Sequence, residues 1–462
     1  MNKAYDIITT LSADEIKKVL QAKYSPRERE LLDAMLKVAL SKRKLPPITA
    51  ATLKISASHF DKLCSLVTEK IFQTLTSGNF TDVIAFLLQK ALSHVLFHEL
   101  GIQHRKVKAG KNAALQKEFY LTAFETIRKM SFDVLDLKAL RYYADRLKPF
   151  LKDNVPFSPR VLEYKFVYIE NAFHFLNGKG LSYGPKALKN IEAIWSKPDE
   201  QKDPAAYSYY QICMALYAKD YIDNQDLALG HAQKCLQCAK QWASGVDNAF
   251  LASAYGMMAT ILSHRSQFKE AMALYKEAFE ALPLQMQGSY YQLFMFACVA
   301  MVCADYDLLE QHLDKHMRKF LESNAGLYYR IEAIRLYALL YLYQKKFDQA
   351  LELIRELQKA RRKEITDTAD VFLRMIDNLY FLVTADYQQA IAQSKKNLKF
   401  LKRKNYTFDN CDYNHLFYAI GVLAKMKIKN KVNKAALEPH YSHSQRGFMN
   451  MYGGLMEQVI NG

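Results

Sequence analysis

Apolar residues recur at helical spacing over most of the chain. From about residue 112 onward, segments carry apolar side chains at positions i, i+3, i+4 and i+7, and short turns separate them. This is the pattern of amphipathic α-helices. No segment shows the sustained alternation of apolar and polar residues that a half-buried strand needs, and 16 Gly and 11 Pro among 462 residues are few for a β-rich protein. The pattern predicts an all-α fold.

A longer period overlies the helical one. A small or apolar residue recurs near the start of every second predicted helix, at successive spacings of 41, 43, 38, 41 and 40 residues. In the last four instances an aromatic residue stands three positions earlier. A small residue lets two helices approach closely and an aromatic fills the turn between them, so each period predicts one packed pair of helices. These anchor positions are Ala187, Ala228, Ala271, Leu309, Ala350 and Ala390.

The helix pairs resemble tetratricopeptide repeats. The best match runs from Ala252 to Leu284, and its matching residues are Tyr255, Ala259, Phe268, Ala271, Tyr275, Ala278 and Pro283. The period of roughly 40 exceeds the family's ~34 residues, Gly184 replaces the aromatic of one unit, and Leu309 replaces the alanine of another. The resemblance implies a superhelical solenoid of helix pairs whose concave groove binds peptides or protein segments. It does not imply an enzyme.

The sequence divides into three predicted regions. Residues 1–110 form a small helical N-terminal domain, 111–430 the repeat array, and 431–462 a C-terminal capping segment or tail. Within the first region, Ser12 and Glu15 have the spacing of a capping box. Pro26 stands near the start of a second helix. A further helix is predicted over about 80–100, and the basic stretch 104–111 is interpreted as a linker.

Residues 50–63 resemble a helix-turn-helix. Ala50, Leu53, Ile55, Ser56, Phe60 and Leu63 have the spacing of that motif's packing positions. Such a motif inserts its second helix into the major groove of DNA. Lys54 stands where the turn usually has glycine, and the reading helix lacks the Arg, Asn and Gln that most often contact bases. A structural three-helix cap for the array is the competing interpretation, and the one we favour.

The repeat resemblance also implies which residues face the concave groove. First-helix positions there combine aromatic rings with a few charges, which suits a docked peptide or helix. The alternative is a purely structural role, in which these side chains pack between repeats. The residues that we expect to contact a partner are Arg335, Tyr343, His264, Tyr210 and Asp220.

Positive charge is concentrated in the last third of the chain. The whole chain has a formal net charge of +17. Between residues 395 and 434, eleven Lys or Arg stand against two Asp, a net of +9. Such a surface is suited to phosphates or other anions without reading sequence, although a lysine-rich cap that keeps a solenoid soluble gives the same pattern. The candidate nucleic-acid or anion contacts are Lys395, Lys399, Lys402, Arg403, Lys427 and Lys429.

Two motifs of metal-binding residue types lead to no predicted site. His94 and His98 are four residues apart, hence on one helical face, but no second ligand cluster accompanies them. Cys235 and Cys238 form a single CxxC without the second pair of a zinc site or the βαβ context of a redox site. We therefore expect no metal ion, no cofactor and no catalytic residues.

The N-terminus has no apolar signal segment, and no run of residues reaches the length of a membrane span. Seven cysteines without a framework spacing fit a reducing compartment. These features predict a cytoplasmic protein.

The predicted function is that of a non-enzymatic scaffold which binds a protein or peptide partner in its groove. The alternative is a nucleic-acid-associated regulator that uses the N-terminal helices or the basic C-terminal surface. An enzyme without a linear motif ranks third. The sequence leaves the oligomeric state open.

Overall fold

The computed structural model describes residues 3–40, 48–90, 92–110, 112–128, 130, 135–152, 158–175, 180–194, 203–242, 248–281, 290–318, 321, 327–359, 367–408, 412–444 and 450–461. Within these ranges the secondary structure is helical and contains no strand, which confirms the all-α prediction. None of the helices described there is long and apolar enough to cross a membrane.

The chain divides into two compact units. The first contains Met1–Val134 and Asp314–Ala333, and the second contains Leu135–Leu313 and Ile334–Gly462. The sequence-based boundaries at 110 and 430 stay predictions.

The first unit begins with seven helices. They are α1 (Lys3–Ile8), α2 (Ala13–Gln21), α3 (Pro26–Leu40), α4 (Ala57–Leu75), α5 (Phe80–Gln89), α6 (Ser93–Ala109) and α7 (Ala113–Arg128). Helix α4 packs against α1, α2 and α3, and α5, α6 and α7 pack against one another. The capping box is present, because Ser12 accepts from the Glu15 N–H and Glu15 accepts from the Ser12 N–H.

Two sequence-based expectations for this region are wrong. The helix predicted over about 80–100 is two helices, α5 and α6. The basic stretch that we interpret as a linker is helical from residue 104 to Ala109, where α6 ends. Lys106 and Lys108 lie in the last turn of α6, where positive charge interacts favourably with the helix dipole. A run of charges in sequence therefore marked a helix end rather than a connection.

The segment that resembles a helix-turn-helix contains one helix in the part described. Residues 50–54 form turns, Lys54 has a φ of 52°, and α4 begins after Ser56, whose side chain accepts from the His59 N–H. The left-handed conformation of Lys54 occurs where the motif usually has glycine. Within residues 48–56 no first helix precedes this turn, so a DNA-reading pair is not shown.

The second unit is a succession of helix pairs. Its helices are α8 (Leu137–Leu147), α9 (Pro159–His174), α10 (Gly180–Ile194), α11 (Pro204–Asp220), α12 (Gln225–Trp242), α13 (Asn248–His264), α14 (Phe268–Ala281), α15 (Tyr290–Val302), α16 (Tyr306–His316), α17 (Leu327–Tyr343), α18 (Phe347–Lys359), α19 (Asp367–Val383), α20 (Tyr387–Arg403), α21 (Asp412–Ile428), α22 (Lys434–Ser444) and α23 (Asn450–Asn461). Helices α16 and α17 continue into residues of the first unit. The first helices of the pairs are α9 and the odd-numbered helices to α21, and the second helices are the even-numbered ones from α10.

The predicted anchors define the repeat in the structure. All six lie on second helices and have 0% exposed surface. Each of the last five follows, by five residues, a non-glycine residue with positive φ; these residues are Asp223, Ser266, Ala304, Lys345 and Ala385. In three of these turns, the residue after the one with positive φ donates its backbone N–H to the carbonyl five residues earlier. Gln267, for example, donates to the Leu262 carbonyl at 2.9 Å. This is a Schellman closure of the first helix.

The unit with Gly184 in the aromatic position has a packing explanation. A Cβ on Gly184 would lie 3.6 Å from the Cβ of Tyr221 and 3.7 Å from its ring. Tyr221, at the end of α11, also lies 6.2 Å from the ring of Tyr183 and donates a hydrogen bond of 2.5 Å to the Asn171 carbonyl. The aromatic ring next to position 184 therefore belongs to the following helix pair, and a Cβ at this position would be in van der Waals contact with it.

Candidate partner-binding face

Contacts link the first helices of the second unit from α9 to α15, and Arg335 of α17 lies over the Phe372 ring of α19. Helix α11 packs against α9 and α13, and α13 packs against α15. We call the surface formed by α11, α13, α15, α17 and α19 the first-helix face. All five predicted partner-contacting residues lie on these helices: Tyr210 and Asp220 on α11, His264 on α13, and Arg335 and Tyr343 on α17.

Asp220 and His264 belong to one polar cluster at the ends of α11 and α13. Lys219 forms an ion pair with Asp220, and both side chains are almost completely buried. Burial raises the pKa of the Asp220 carboxyl, while the Lys219 ammonium opposes that rise. Burial, aided by the charge of Lys219, lowers the pKa of His264 to about 3. His264 is therefore neutral at physiological pH, and the cluster carries one buried ion pair.

Tyr210 lies apart from that cluster and is half-buried. Its ring meets the ring of Tyr164 edge to face, with 6.2 Å between the centroids. Burial, and then the charge of Glu192, raise the pKa of the Tyr210 hydroxyl. Of the five predicted residues, Tyr210 therefore combines an aromatic ring with partial access to solvent, as an adaptable contact residue does.

Arg335 and Tyr343 lie in a second cluster, deeper in the unit. Arg335 is 2% exposed, and its guanidinium lies 4.0 Å from the centroid of the Phe372 ring. It is also close enough to Cys298 to oppose the burial that raises the pKa of that thiol to about 12. Tyr343 is buried, and burial raises the pKa of its hydroxyl well above the ordinary value.

The last helix of the chain covers this second cluster. Helix α23 packs against α15 and α19, and against α22 next to it. The Tyr343 hydroxyl donates a 2.6 Å hydrogen bond to the carbonyl of Met451, and the Cys298 Sγ lies 3.5 Å from the Met451 Sδ. The sequence pattern predicts only a capping segment or tail over 431–462 and does not indicate that residues 450–461 lie on the first-helix face.

The basic residues lie on a different surface. Lys395, Lys399, Lys402 and Arg403 are exposed along one side of α20, Lys429 is exposed just beyond α21, and Lys427 on α21 is half-buried. Helices α20 and α21 pack together, and we call these six basic residues the basic surface.

Aromatic rings accompany the basic surface. Phe408 and Tyr418 are each 41% exposed. The ring of Tyr418 lies 4.4 Å from that of His440, and His415 and His440 face each other with 2.9 Å between their Nδ1 atoms. Phe408 follows Arg403, the last residue of α20, by five positions, and its ring lies 6.1 Å from that of Tyr418.

The side chains of the histidine and cysteine motifs contact neighbouring groups of the protein. His94 lies 3.0 Å from an Asp6 carboxylate oxygen, and the His98 Nδ1 lies 3.9 Å from a Glu99 carboxylate oxygen. Cys235 and Cys238 are buried, and the Cys238 thiol lies 3.5 Å from the Pro204 carbonyl. Among the residues described, no group of three or more His, Cys, Asp or Glu side chains is arranged to hold a metal ion. That the chain uses no metal or cofactor stays a prediction.

Comparison with known proteins gives distant structural similarity only. No protein-family model matches the sequence, and no curated protein matches it. Solved structures similar to this chain include a Rap protein complexed with Competence and Sporulation Factor, at 14% identity and a TM-score of 0.39 over 76% of this chain and 97% of that chain. The apo form of RapI has 12% identity and a TM-score of 0.37, with 76% and 97% covered.

A third similar structure is that of phAimR, at 11% identity and a TM-score of 0.38, with 93% of this chain and 96% of that chain covered. At these TM-scores the similarities carry no argument about what the present chain binds. The functional conclusion therefore depends on the chain's own geometry.

Proposed function

We propose that this chain is a non-enzymatic helical-repeat scaffold that binds a segment of a protein or peptide partner on its first-helix face. One observation carries the proposal. The face already holds a helix, α23, and buries that helix's Met451, Tyr452, Leu455 and Met456 completely. A surface that accommodates one short apolar helix has the shape and chemistry to accommodate another.

The remainder of the face supplies groups for specificity. Tyr210 offers a partly accessible ring, and the Lys219–Asp220 ion pair and neutral His264 lie further along the same helices. Aromatic anchors next to a few charges are typical of surfaces where a small number of residues supply most of the binding energy. No catalytic group forms part of this proposal.

The test is selection of peptides from a displayed random library on the full-length protein. We expect selected peptides to lose about tenfold or more in affinity for Tyr210→Ala, since truncating a binding hot spot costs ~2 kcal/mol. Tyr418→Ala is the matched control, because it removes an exposed tyrosine from the basic surface. Peptides that respond to Tyr418→Ala and not to Tyr210→Ala would contradict binding on the first-helix face.

Nucleic-acid association is the second candidate function. The observation that favours it is the basic surface with exposed Phe408 and Tyr418 beside it. Lysines that follow a phosphate backbone, with rings on which bases stack, bind single strands without reading sequence. Within residues 48–63, the segment that resembles a helix-turn-helix contains one helix, α4, so it adds no helix pair to support DNA reading.

Salt dependence separates the two candidates. If nucleic acid is the partner, retention on a labelled single strand will fall steeply toward ~0.5 M salt, and Lys395→Glu with Lys399→Glu will weaken it further. A peptide bound through apolar contacts will stay bound at that salt concentration. If retention of the protein on the single strand changes neither with salt concentration nor with the two substitutions, binding of nucleic acid through the basic surface is contradicted.

A further inference from the structure

We propose that α23 is an intramolecular occupant of the first-helix face, and that an external helix of similar chemistry binds by displacing it. This inference rests on the proposed function, and it names both the kind of partner and the regulation of binding.

The contacts of α23 are those of a docked ligand. Met451, Tyr452, Leu455 and Met456 have 0% exposed surface, whereas Glu457 and Gln458 are exposed. Positions 451, 452, 455 and 456 follow the spacing that places side chains on one side of a helix. An apolar side therefore faces the first helices and a polar side faces outward.

Helix α23 and the face are complementary at one residue in particular. A Cβ on Gly454 would overlap the hydroxyl oxygen of Tyr343 and would lie 3.3 Å from the Tyr343 Cζ. The same hydroxyl donates to the Met451 carbonyl one turn earlier. Glycine at position 454 thus allows the buried ring of Tyr343 to lie directly against the backbone of α23.

The helix depends on docking for its existence. It has twelve residues, and Gly453 and Gly454 are the fourth and fifth of them. Isolated helices of this length are marginal in water, and glycine in a helix interior weakens them further. Undocked, residues 450–461 therefore gain little from remaining helical, and part of the docking energy is spent on ordering them.

These features specify the competing partner. It is an apolar helical segment with Met, Leu or aromatic side chains at its positions 1, 2, 5 and 6 relative to Met451, and glycine at the position of Gly454. A partner with better helix formers at the outward positions loses less entropy on docking than α23 does. Covalent attachment opposes it, since a tethered segment has an effective concentration in the millimolar range.

The experiment uses full-length protein and a fluorescein-labelled peptide spanning residues 450–461. We expect the Gly454→Ala protein to bind this peptide about tenfold tighter than wild-type protein, because one buried steric clash weakens the tethered helix by a factor of this order. Gly230→Ala is the matched control: it also adds a methyl group inside a helix, but nothing lies within 4 Å of its Cβ. It should leave peptide binding at the wild-type level.

A reducible disulfide that holds α23 in its docked position provides the second experiment. The Cys298 Sγ lies 3.5 Å from the Met451 Sδ, so Met451→Cys places a second thiol next to Cys298 if the helix is docked. Formation of the disulfide between Cys298 and the introduced thiol on oxidation is confirmed by mass spectrometry before peptide binding is measured. The oxidised protein should exclude the peptide and the reduced protein should bind it, with Met451→Ser as the control that does not respond to oxidant.

The outcomes separate failure of this inference from failure of the proposed function. Equal peptide binding by wild type, Gly454→Ala and oxidised Met451→Cys would overturn the displacement of α23. So would the absence of peptide binding to a Gly454→Ala protein that keeps its helical circular dichroism. Library peptides that bind Tyr210-dependently in either case would leave the proposed function standing, whereas loss of those peptides as well would remove both.

Discussion

The hydroxyl of Tyr343 occupies the space that a side chain on Gly454 would need. It lies on α17, more than a hundred residues away in sequence, and donates a 2.6 Å hydrogen bond to the Met451 carbonyl. This relationship joins the last helix of the chain to the surface on which we propose that partners bind.

The Tyr343–Gly454 contact predicts a coupled pair of substitutions. Gly454→Ala should destabilise the second unit by about 1–3 kcal/mol through overpacking. Adding Tyr343→Phe should recover part of that loss, because it removes the overlapping oxygen and leaves Cζ as the nearest atom. The measurement is a double-mutant cycle from urea unfolding.

The control for this cycle is Gly230→Ala. With no atom near its Cβ, this substitution should stabilise α12 by roughly 0.5–1 kcal/mol, the ordinary gain of alanine over glycine in a helix. Purely additive effects of Gly454→Ala and Tyr343→Phe would show that the two residues do not meet.

The anchor positions predict a strong contrast within one helix. Ala271 is completely buried on α14, whereas Ala273 on the same helix is exposed. Ala271→Trp should lower the free energy of unfolding by ~1–3 kcal/mol or more because the helix crossing has no room for the ring. Ala273→Trp should change it by less than about 0.5 kcal/mol. Equal melting temperatures for the two variants would contradict the register of the repeat.

Local rules explain why the repeat was visible in the sequence. A small anchor, an aromatic three residues before it and a turn between helices are short-range features. The structure retains them as Ala271, Phe268 and the left-handed Ser266. The anchors were therefore predictable, and so was the pairing of helices along the chain.

The docking of α23 was not predictable from such rules. Its contacts with Cys298 and Tyr343 span 153 and 108 residues, and a segment with two consecutive glycines inside it has weak local helix preference. Only tertiary packing makes it a helix there. Likewise, Gly184 departed from the repeat pattern because its aromatic neighbour, Tyr221, comes from the next pair.

His264 predicts a pH dependence of stability. Burial lowers its pKa from 6.5 to about 3, so between these values the unfolded chain binds a proton that the folded chain does not. Stability should therefore fall as the pH drops from ~6.5 toward 3. The slope from this one group is at most about 1.4 kcal/mol per pH unit.

The measurement compares urea unfolding of wild type and His264→Gln at several pH values. Asp220 has a raised pKa and acts in the opposite direction, since its contribution falls as the pH rises above 3.8. Both proteins retain Asp220, so the difference between them isolates His264. A difference that stays constant between pH 7 and pH 4 would contradict burial of a neutral His264.

The basic surface predicts a separation of stability from binding. Lys395 and Lys399 are exposed on α20, so reversing both charges should change the free energy of unfolding by less than about 1 kcal/mol. Peptides selected on the first-helix face should bind the double variant as they bind wild type. A loss of peptide affinity with the double variant would move the partner's contacts to the basic surface.

Hydrogen exchange of residues 450–461 tests the central claim most directly. The wild-type protein is measured alone and with a saturating peptide selected on it. If the peptide takes the place of α23, the amides of 450–461 will exchange faster in the complex, while those of α15 and α19 stay protected. Unchanged or slower exchange at 450–461 with the peptide bound would contradict displacement of the helix from the first-helix face.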